Sequence, residues 1–171
     1  AWLLPRYESL RRRLLLDRAR ADGLLVSTEA QMSKGDIVDW PPGERDGFVF
    51  WPVNTVVTAF HLRSLTLVAE LAEALGKDTE AREHRDRERV ARRAFQEKLF
   101  DPVRGLYRDG EGTEHASLHA SLFPLAFGLV PESARKGVVE WVAGRGMACS
   151  VYAAQYLLEA LFEHGEDRKA L

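Results

Sequence analysis

A nearly continuous apolar helix pattern covers residues 54–77, NTVVTAFHLRSLTLVAELAEALGK. Asn54 belongs to the residue types that cap the first turn of a helix, and Gly76 is the type that most often ends one. The pattern therefore predicts a helix over residues 54–75. Its apolar side chains leave hardly any polar face, which is typical of a helix inside a protein. We expect this helix to be buried nearly all round.

Five further segments show the helical spacing of apolar residues. They cover residues 3–23, 78–100, 117–127, 132–142 and 150–162. The third and fifth of these segments are mostly apolar, whereas the second and fourth keep their apolar residues on one side. Buried and surface-facing helices are therefore expected to alternate along the chain.

The connections between these segments alternate in length. The entrances to the apolar helices are long, at residues 21–53, 101–115 and 143–149, whereas the exits are tight turns. If the apolar helices run parallel, the long loops meet at one end and build one surface, and long loops in compact domains are usually functional. We expect an all-α array of α-hairpins with a binding face at one rim. Residues 24–26 and 48–50 make at most a small hairpin.

Composition limits the classes of partner. The 171 residues carry a formal charge of −2, which argues against general nucleic-acid binding. The chain is 46% hydrophobic and 29% charged, which indicates one soluble domain over residues 1–171. We expect no apolar run of membrane length and no signal peptide, hence no membrane partner, and the cytoplasm is favoured. The single cysteine, Cys149, excludes an internal disulfide.

One loop concentrates chemically distinctive residues. Residues 35–51, GDIVDWPPGERDGFVFW, contain four acids, one arginine and two tryptophans just before the apolar helix. Sugars need this mixture, because their hydroxyls require charged hydrogen-bond partners and their apolar ring faces require aromatic platforms. The loop is therefore expected to form a wall of a polar-ligand site.

Several motifs in order support a family resemblance. They are VDWPPGERDGF at 38–48, the apolar helix at 54–77, LFDPVRGLYRDG at 99–110, HASLHASLFPLAFGLVP at 115–131 and RGMACSVYAAQYLLEALFEHGEDRKAL at 145–171. Together they resemble the six-hairpin catalytic domain of bacterial α-L-rhamnosidases. The resemblance implies an (α/α)6 toroid, of which six helices are half, and inverting hydrolysis of a terminal L-rhamnoside. Inversion requires one carboxylic acid to protonate the leaving oxygen and a second carboxylate to activate water.

The resemblance also implies roles for individual residues. Asp39 and Trp40 match an Asp-Trp pair of the family, which implies sugar binding. The expected substrate-binding residues are Asp39, Trp40, Glu44, Arg45, Asp46 and His119. Glu44 is the candidate for general acid, but one carboxylate does not make a glycosidase, so the catalytic pair is left unassigned. We expect no cofactor.

Each of these residues also has a structural interpretation. Trp40 could pin the loop to the surface, and the charged run 44–46 could be a local salt-bridge cluster. His119 could line the pocket floor or be a core imidazole. His115 and His119 stand four residues apart, but the segment lacks the glutamate of the zinc-protease motif, so we expect no metal. Cys149 reads as a small packing residue.

A second functional class is compatible with alternating hairpins. Helical-repeat interaction modules show such alternation, but with a fixed period and similar loops. The entrances here are unequal in length, which favours the glycosidase interpretation over a non-catalytic α-solenoid. A half toroid would also expose the apolar flanks that further hairpins cover, so self-association is expected.

Overall fold

The computed structural model describes residues 2–170, and within this range nearly all regular structure is helical. The helices are α1 Leu3–Arg11, α2 Glu29–Ser33, α3 Thr55–Ala74, α4 Asp78–Leu99, α5 Leu118–Ala126, α6 Glu132–Gly144, α7 Val151–Glu163 and α8 Asp167–Ala170. Short 3₁₀ turns cover Leu16–Arg18 and Pro42–Glu44. Strands β1 Phe100–Asp101 and β2 Leu106–Tyr107 pair antiparallel. The expected all-α hairpin array is confirmed.

Helix α3 is the buried helix that the sequence predicts. The Asn54 side chain accepts a hydrogen bond from the Val57 N–H at 2.9 Å, and Gly76, with φ +70°, follows the helix end. By length and composition α3 could cross a membrane, so the expectation that no apolar run reaches membrane length is wrong. However, 61% of its apolar window is buried inside the fold, as in the core helix of a globular domain.

The helices pack as hairpins in two layers. Helix α4 covers α3 from outside, and α6 does the same for α5, while α5 packs against both α3 and α7. Helix α1 closes the far side of the α3–α4 hairpin, where the buried Tyr7 hydroxyl donates to Glu80 at 2.7 Å. The apolar helices α3, α5 and α7 are therefore neighbours in one row.

The three apolar helices begin at the same end of the molecule. Each has a side-chain cap at its start, namely Asn54, Ser117 and Ser150. Two aspartates join these starts: Asp109 accepts hydrogen bonds from the backbone of Thr55 and Ser117, and Asp39 links the α5 and α7 starts. The predicted parallel arrangement is confirmed. We call this end, with residues 34–53, 101–117 and 145–150, the rim.

One sequence prediction about local structure is wrong. The first helix ends at Arg11 instead of near residue 23, because the chain turns at Leu15 (φ 54°) and buries Leu14 against α3. Residues 24–26 and 48–50, which the sequence predicts to make at most a small hairpin, do not pair with each other, and the two-stranded hairpin is β1 and β2. The Val49 N–H instead donates to Asp109 at 2.8 Å.

Candidate functional site at the rim

Asp39 is the buried anchor of the rim. Its side chain has no exposed surface. Oδ2 accepts from the Ser150 N–H at 2.9 Å and lies 2.8 Å from Nε2 of His119. Oδ1 accepts from the Trp40 N–H at 2.8 Å and from the Ser150 hydroxyl. Both carboxylate oxygens are therefore occupied by donors from the loop, α5 and α7.

The electrostatic state of Asp39 follows from these contacts. Burial by itself raises the pKa of a carboxyl group, but the hydrogen bonds from Ser150, His119 and Trp40 hold the pKa of Asp39 below its usual value. A buried carboxylate that accepts four hydrogen bonds holds its donor groups firmly together. Asp39 thus fixes the position of Trp40 relative to two helix starts.

Trp40 presents an aromatic face at the rim surface. The residue is 44% exposed, its Nε1 donates to the Lys34 carbonyl at 2.9 Å, and its ring meets Tyr152 edge-on at 5.5 Å between centroids. Arg45 lies beside it, because its Nε donates to the Asp39 carbonyl at 2.7 Å. The indole is thereby held rigidly with one side open to solvent.

The other two acids of the loop differ in their surroundings. Glu44 is exposed at the end of a 3₁₀ turn, and among residues 2–170 its carboxylate makes no ion pair. Asp46 is nearly buried, accepts from the Leu118 N–H at 2.6 Å and pairs with Arg145. The alternative of a local salt-bridge cluster of residues 44–46 is wrong. Arg45 bonds to the Asp39 carbonyl within the loop, and Asp46 bonds to Leu118 and Arg145, which lie far along the chain.

Asp39 and His119 are the two buried members of the predicted set. Their side chains have no exposed surface and lie beneath the rim surface, and their role in substrate binding stays a prediction. His119 is a core imidazole whose Nδ1 has no partner among the described residues. Burial also raises the pKa of Cys149 to about 11, which fits a packing residue and not a nucleophile.

A second buried aspartate was not singled out in the sequence. Asp109 accepts from the backbone N–H groups of Ser117 and Val49, both at 2.8 Å, and lies 2.6 Å from Nδ1 of the exposed His115. The side chains of His115 and His119 therefore bond to different aspartates and do not converge. In residues 2–170, no group of three or more His, Cys, Asp or Glu is arranged to hold a metal ion.

The exposed predicted residues thus meet on one surface. Trp40, Glu44 and Arg45 lie together on the rim, over a layer of buried hydrogen bonds. Two cavities, of about 400 and about 410 Å3, lie away from this surface beside α3, one near Arg20 and His61 and the other near Leu10. The rim side chains form an open wall that offers charged groups next to an aromatic plane.

Comparison with known proteins adds a family and a fold. Residues 1–171 match the family described as the bacterial alpha-L-rhamnosidase 6 hairpin glycosidase domain. No curated protein sequence matches the chain.

Solved structures share the fold. A rhamnosidase from Klebsiella oxytoca with rhamnose bound aligns with 96% of the chain at 18% identity and a TM-score of 0.75. A Streptomyces avermitilis alpha-L-rhamnosidase complexed with L-rhamnose aligns with 98% at 22% identity and 0.73. A GH78 family rhamnosidase from Bacillus sp. GL1 aligns with 96% at 18% identity and 0.78. The chain spans 31%, 15% and 18% of these three structures.

Proposed function

Since the chain belongs to the bacterial α-L-rhamnosidase six-hairpin glycosidase domain family, we propose that its rim is one wall of a binding site for a terminal L-rhamnoside. In this proposal the complete enzyme hydrolyses the glycoside with inversion, and residues 1–171 form a single structural unit that is part of its toroid. The two relatives that hold rhamnose support the choice of sugar.

The observation that carries the proposal is the fixed, half-exposed indole of Trp40 beside charged side chains. The deoxy sugar has an apolar methyl group and apolar ring hydrogens that suit an aromatic plane, while its hydroxyls suit Glu44 and Arg45. Asp39 contributes indirectly, because its carboxylate fixes Trp40 and its carbonyl fixes Arg45. A site held in this way loses little conformational freedom when the ligand binds.

The proposal assigns Glu44 to binding and not to proton transfer. Inverting hydrolysis needs two carboxyl groups on opposite faces of the sugar ring, roughly 6.5–9.5 Å apart. Asp39 and Asp109 are both fully buried and occupied by donors, so neither can serve as the partner of Glu44. We therefore expect no turnover of an aryl rhamnoside by residues 1–171 alone. Turnover that is lost in Glu44→Gln would instead make Glu44 the general acid.

Fluorescence provides the direct test of binding. L-Rhamnose should change the emission of Trp40, with a dissociation constant in the millimolar range, which is about 4 kcal/mol of binding free energy. Trp40→Ala should abolish the response and leave the far-UV circular dichroism intact, since the side chain is half-exposed. Trp2→Phe is the matched control, because Trp2 is also exposed but precedes α1, away from the rim. Its response should equal that of the unchanged protein.

An unchanged emission spectrum at saturating L-rhamnose would reject the proposal. A response that survives Trp40→Ala would reject the role of Trp40, because the emission change would then come from another tryptophan, such as the exposed Trp51. Tight binding of a protein or peptide partner without any rhamnose response would favour the helical-repeat alternative. No contact among the described residues supports that alternative.

Self-association is a further part of the proposal. Helix α7 leaves apolar side chains in solvent, with Val151 86%, Phe162 48% and Leu158 37% exposed. Exposed apolar patches of more than a few hundred Å2 commonly bind a partner. Sedimentation of the isolated chain should therefore show concentration-dependent association. A stable monomer at high concentration would contradict this expectation.

A further inference from the structure

His115 and Asp109 form an oriented pair at the rim. Nδ1 of His115 lies 2.6 Å from Oδ2 of Asp109, whose side chain is fully buried. The carboxylate is an acceptor only, so the geometry places the imidazole proton on Nδ1. The other ring nitrogen, Nε2, is then left as a hydrogen-bond acceptor.

The outer edge of this imidazole faces the loop that carries the predicted sugar-binding residues. The His115 side chain is 43% exposed. A Cβ atom built on Gly47 would lie 3.6 Å from both Cε1 and Nε2 of the ring, so this edge lies directly over the segment that follows Glu44 and Arg45. Among residues 2–170, Nε2 of His115 has no hydrogen-bond partner in the protein.

Fixing the loop does not require the imidazole. Asp109 already accepts from the N–H groups of Ser117 and Val49. These two hydrogen bonds join its own loop, residues 101–117, to the start of α5 and to residues 48–50. The companion pair, His119 and Asp39, shows how a purely structural pair is built here, because both of its side chains are fully buried. The His115 pair uses the same chemistry but turns the ring outwards.

We propose that Nε2 of His115 accepts a hydrogen bond from a hydroxyl group of the sugar bound at the rim. The inference rests on the function proposed above and adds a ligand-contacting residue to it. Asp109 is the positioning residue, because it holds the ring in one tautomer and one orientation. The sugar hydroxyl donates, and Nε2 of His115 accepts.

Side-chain nitrogen NMR of the unchanged protein tests the contact. The spectra should show His115 with its proton on Nδ1, and L-rhamnose should shift its Nε2 resonance while the buried His119 stays unchanged. His115→Ala should raise the dissociation constant for L-rhamnose about 2- to 10-fold, as expected for one hydrogen bond. His164→Ala is the matched control, since His164 caps the opposite end of α7, and should leave the constant unchanged.

The results separate the two proposals. If Trp40 fluorescence responds to L-rhamnose but His115 neither shifts nor changes the affinity when replaced, the role of His115 is wrong and the function stands. If neither residue responds, both are wrong. A melting temperature of His115→Ala equal to that of His164→Ala excludes unfolding as the cause of weaker binding. An affinity loss that only accompanies unfolding would also overturn the inference.

Discussion

Replacing Asp39 with asparagine tests the hydrogen-bonded layer under the rim. The two side chains have nearly the same shape, but one carboxylate oxygen becomes an NH2 group. If the NH2 group takes the Oδ1 position, it faces the Trp40 N–H; if it takes the Oδ2 position, it faces the Ser150 N–H. The Ser150 hydroxyl and the His119 imidazole can reorient to accept from an NH2 group, whereas the two backbone N–H groups can only donate. Every orientation therefore leaves at least one buried N–H without an acceptor.

The magnitude follows from the number of donors affected. An unsatisfied buried donor costs about 1–3 kcal/mol, and the remaining hydrogen bonds weaken because the charge is lost. We expect Asp39→Asn to lower the free energy of unfolding by about 2–4 kcal/mol. For a chain of this length that is a fall in melting temperature of about 5–12 °C.

Urea unfolding at pH 7, followed by far-UV circular dichroism, measures this loss. Asp17→Asn is the matched control, because Asp17 is exposed and makes no side-chain hydrogen bond among residues 2–170. It should change the free energy of unfolding by less than about 0.5 kcal/mol. A loss below about 1 kcal/mol in Asp39→Asn would show that the rim does not depend on the buried carboxylate.

Three further predictions concern stability. Asn54→Ala should cost about 1 kcal/mol in urea unfolding, because α3 loses its cap; an unchanged midpoint would refute this. Gly23→Ala should cost about 2 kcal/mol or more, because φ is +82° and a Cβ would lie 2.7 Å from that of Ala91, whereas Gly43→Ala, with open space around it, should be nearly neutral. Burial lowers the pKa of His61 from 6.5 to about 4, so below pH 6.5 the unfolded chain binds a proton that the folded chain does not. The free energy of unfolding should therefore fall by up to about 3 kcal/mol from pH 6.5 to pH 4, and in His61→Gln it should fall less steeply with pH.

The row of apolar helices was predictable because its signals are local. Caps such as Asn54 and Ser117 and the apolar periodicity of the following turns fix the helix starts without reference to the rest of the chain. The end of α1 was not predictable in this way. Its leucine spacing continues past Arg11, and only the burial of Leu14 against α3 turns the chain there. Tertiary packing overrides the local helix pattern at that point.

The sequence predicted that the distinctive residues of this loop share one surface, but not which of them are buried. The acids of residues 35–51 look alike in sequence, yet Asp39 is buried and Glu44 is exposed. Their difference depends on His119 and Ser150, which lie far along the chain and supply the donors that make burial of Asp39 favourable. Asp109 was missed because its contact with Val49 spans 60 residues, and no local sequence pattern predicts it.

The long reach of the Asp39 contacts has a consequence for the order of folding. The hydrogen bonds to His119 and Ser150 close intervals of 80 and 111 residues, whereas α3 and α4 are joined by a short turn. Loop closure over long intervals costs more chain entropy, so the helical hairpins should form first and the rim last. The same order in reverse makes the rim the first region to open. Amide hydrogens of residues 39–49 should therefore exchange with solvent before those in the middle of α3.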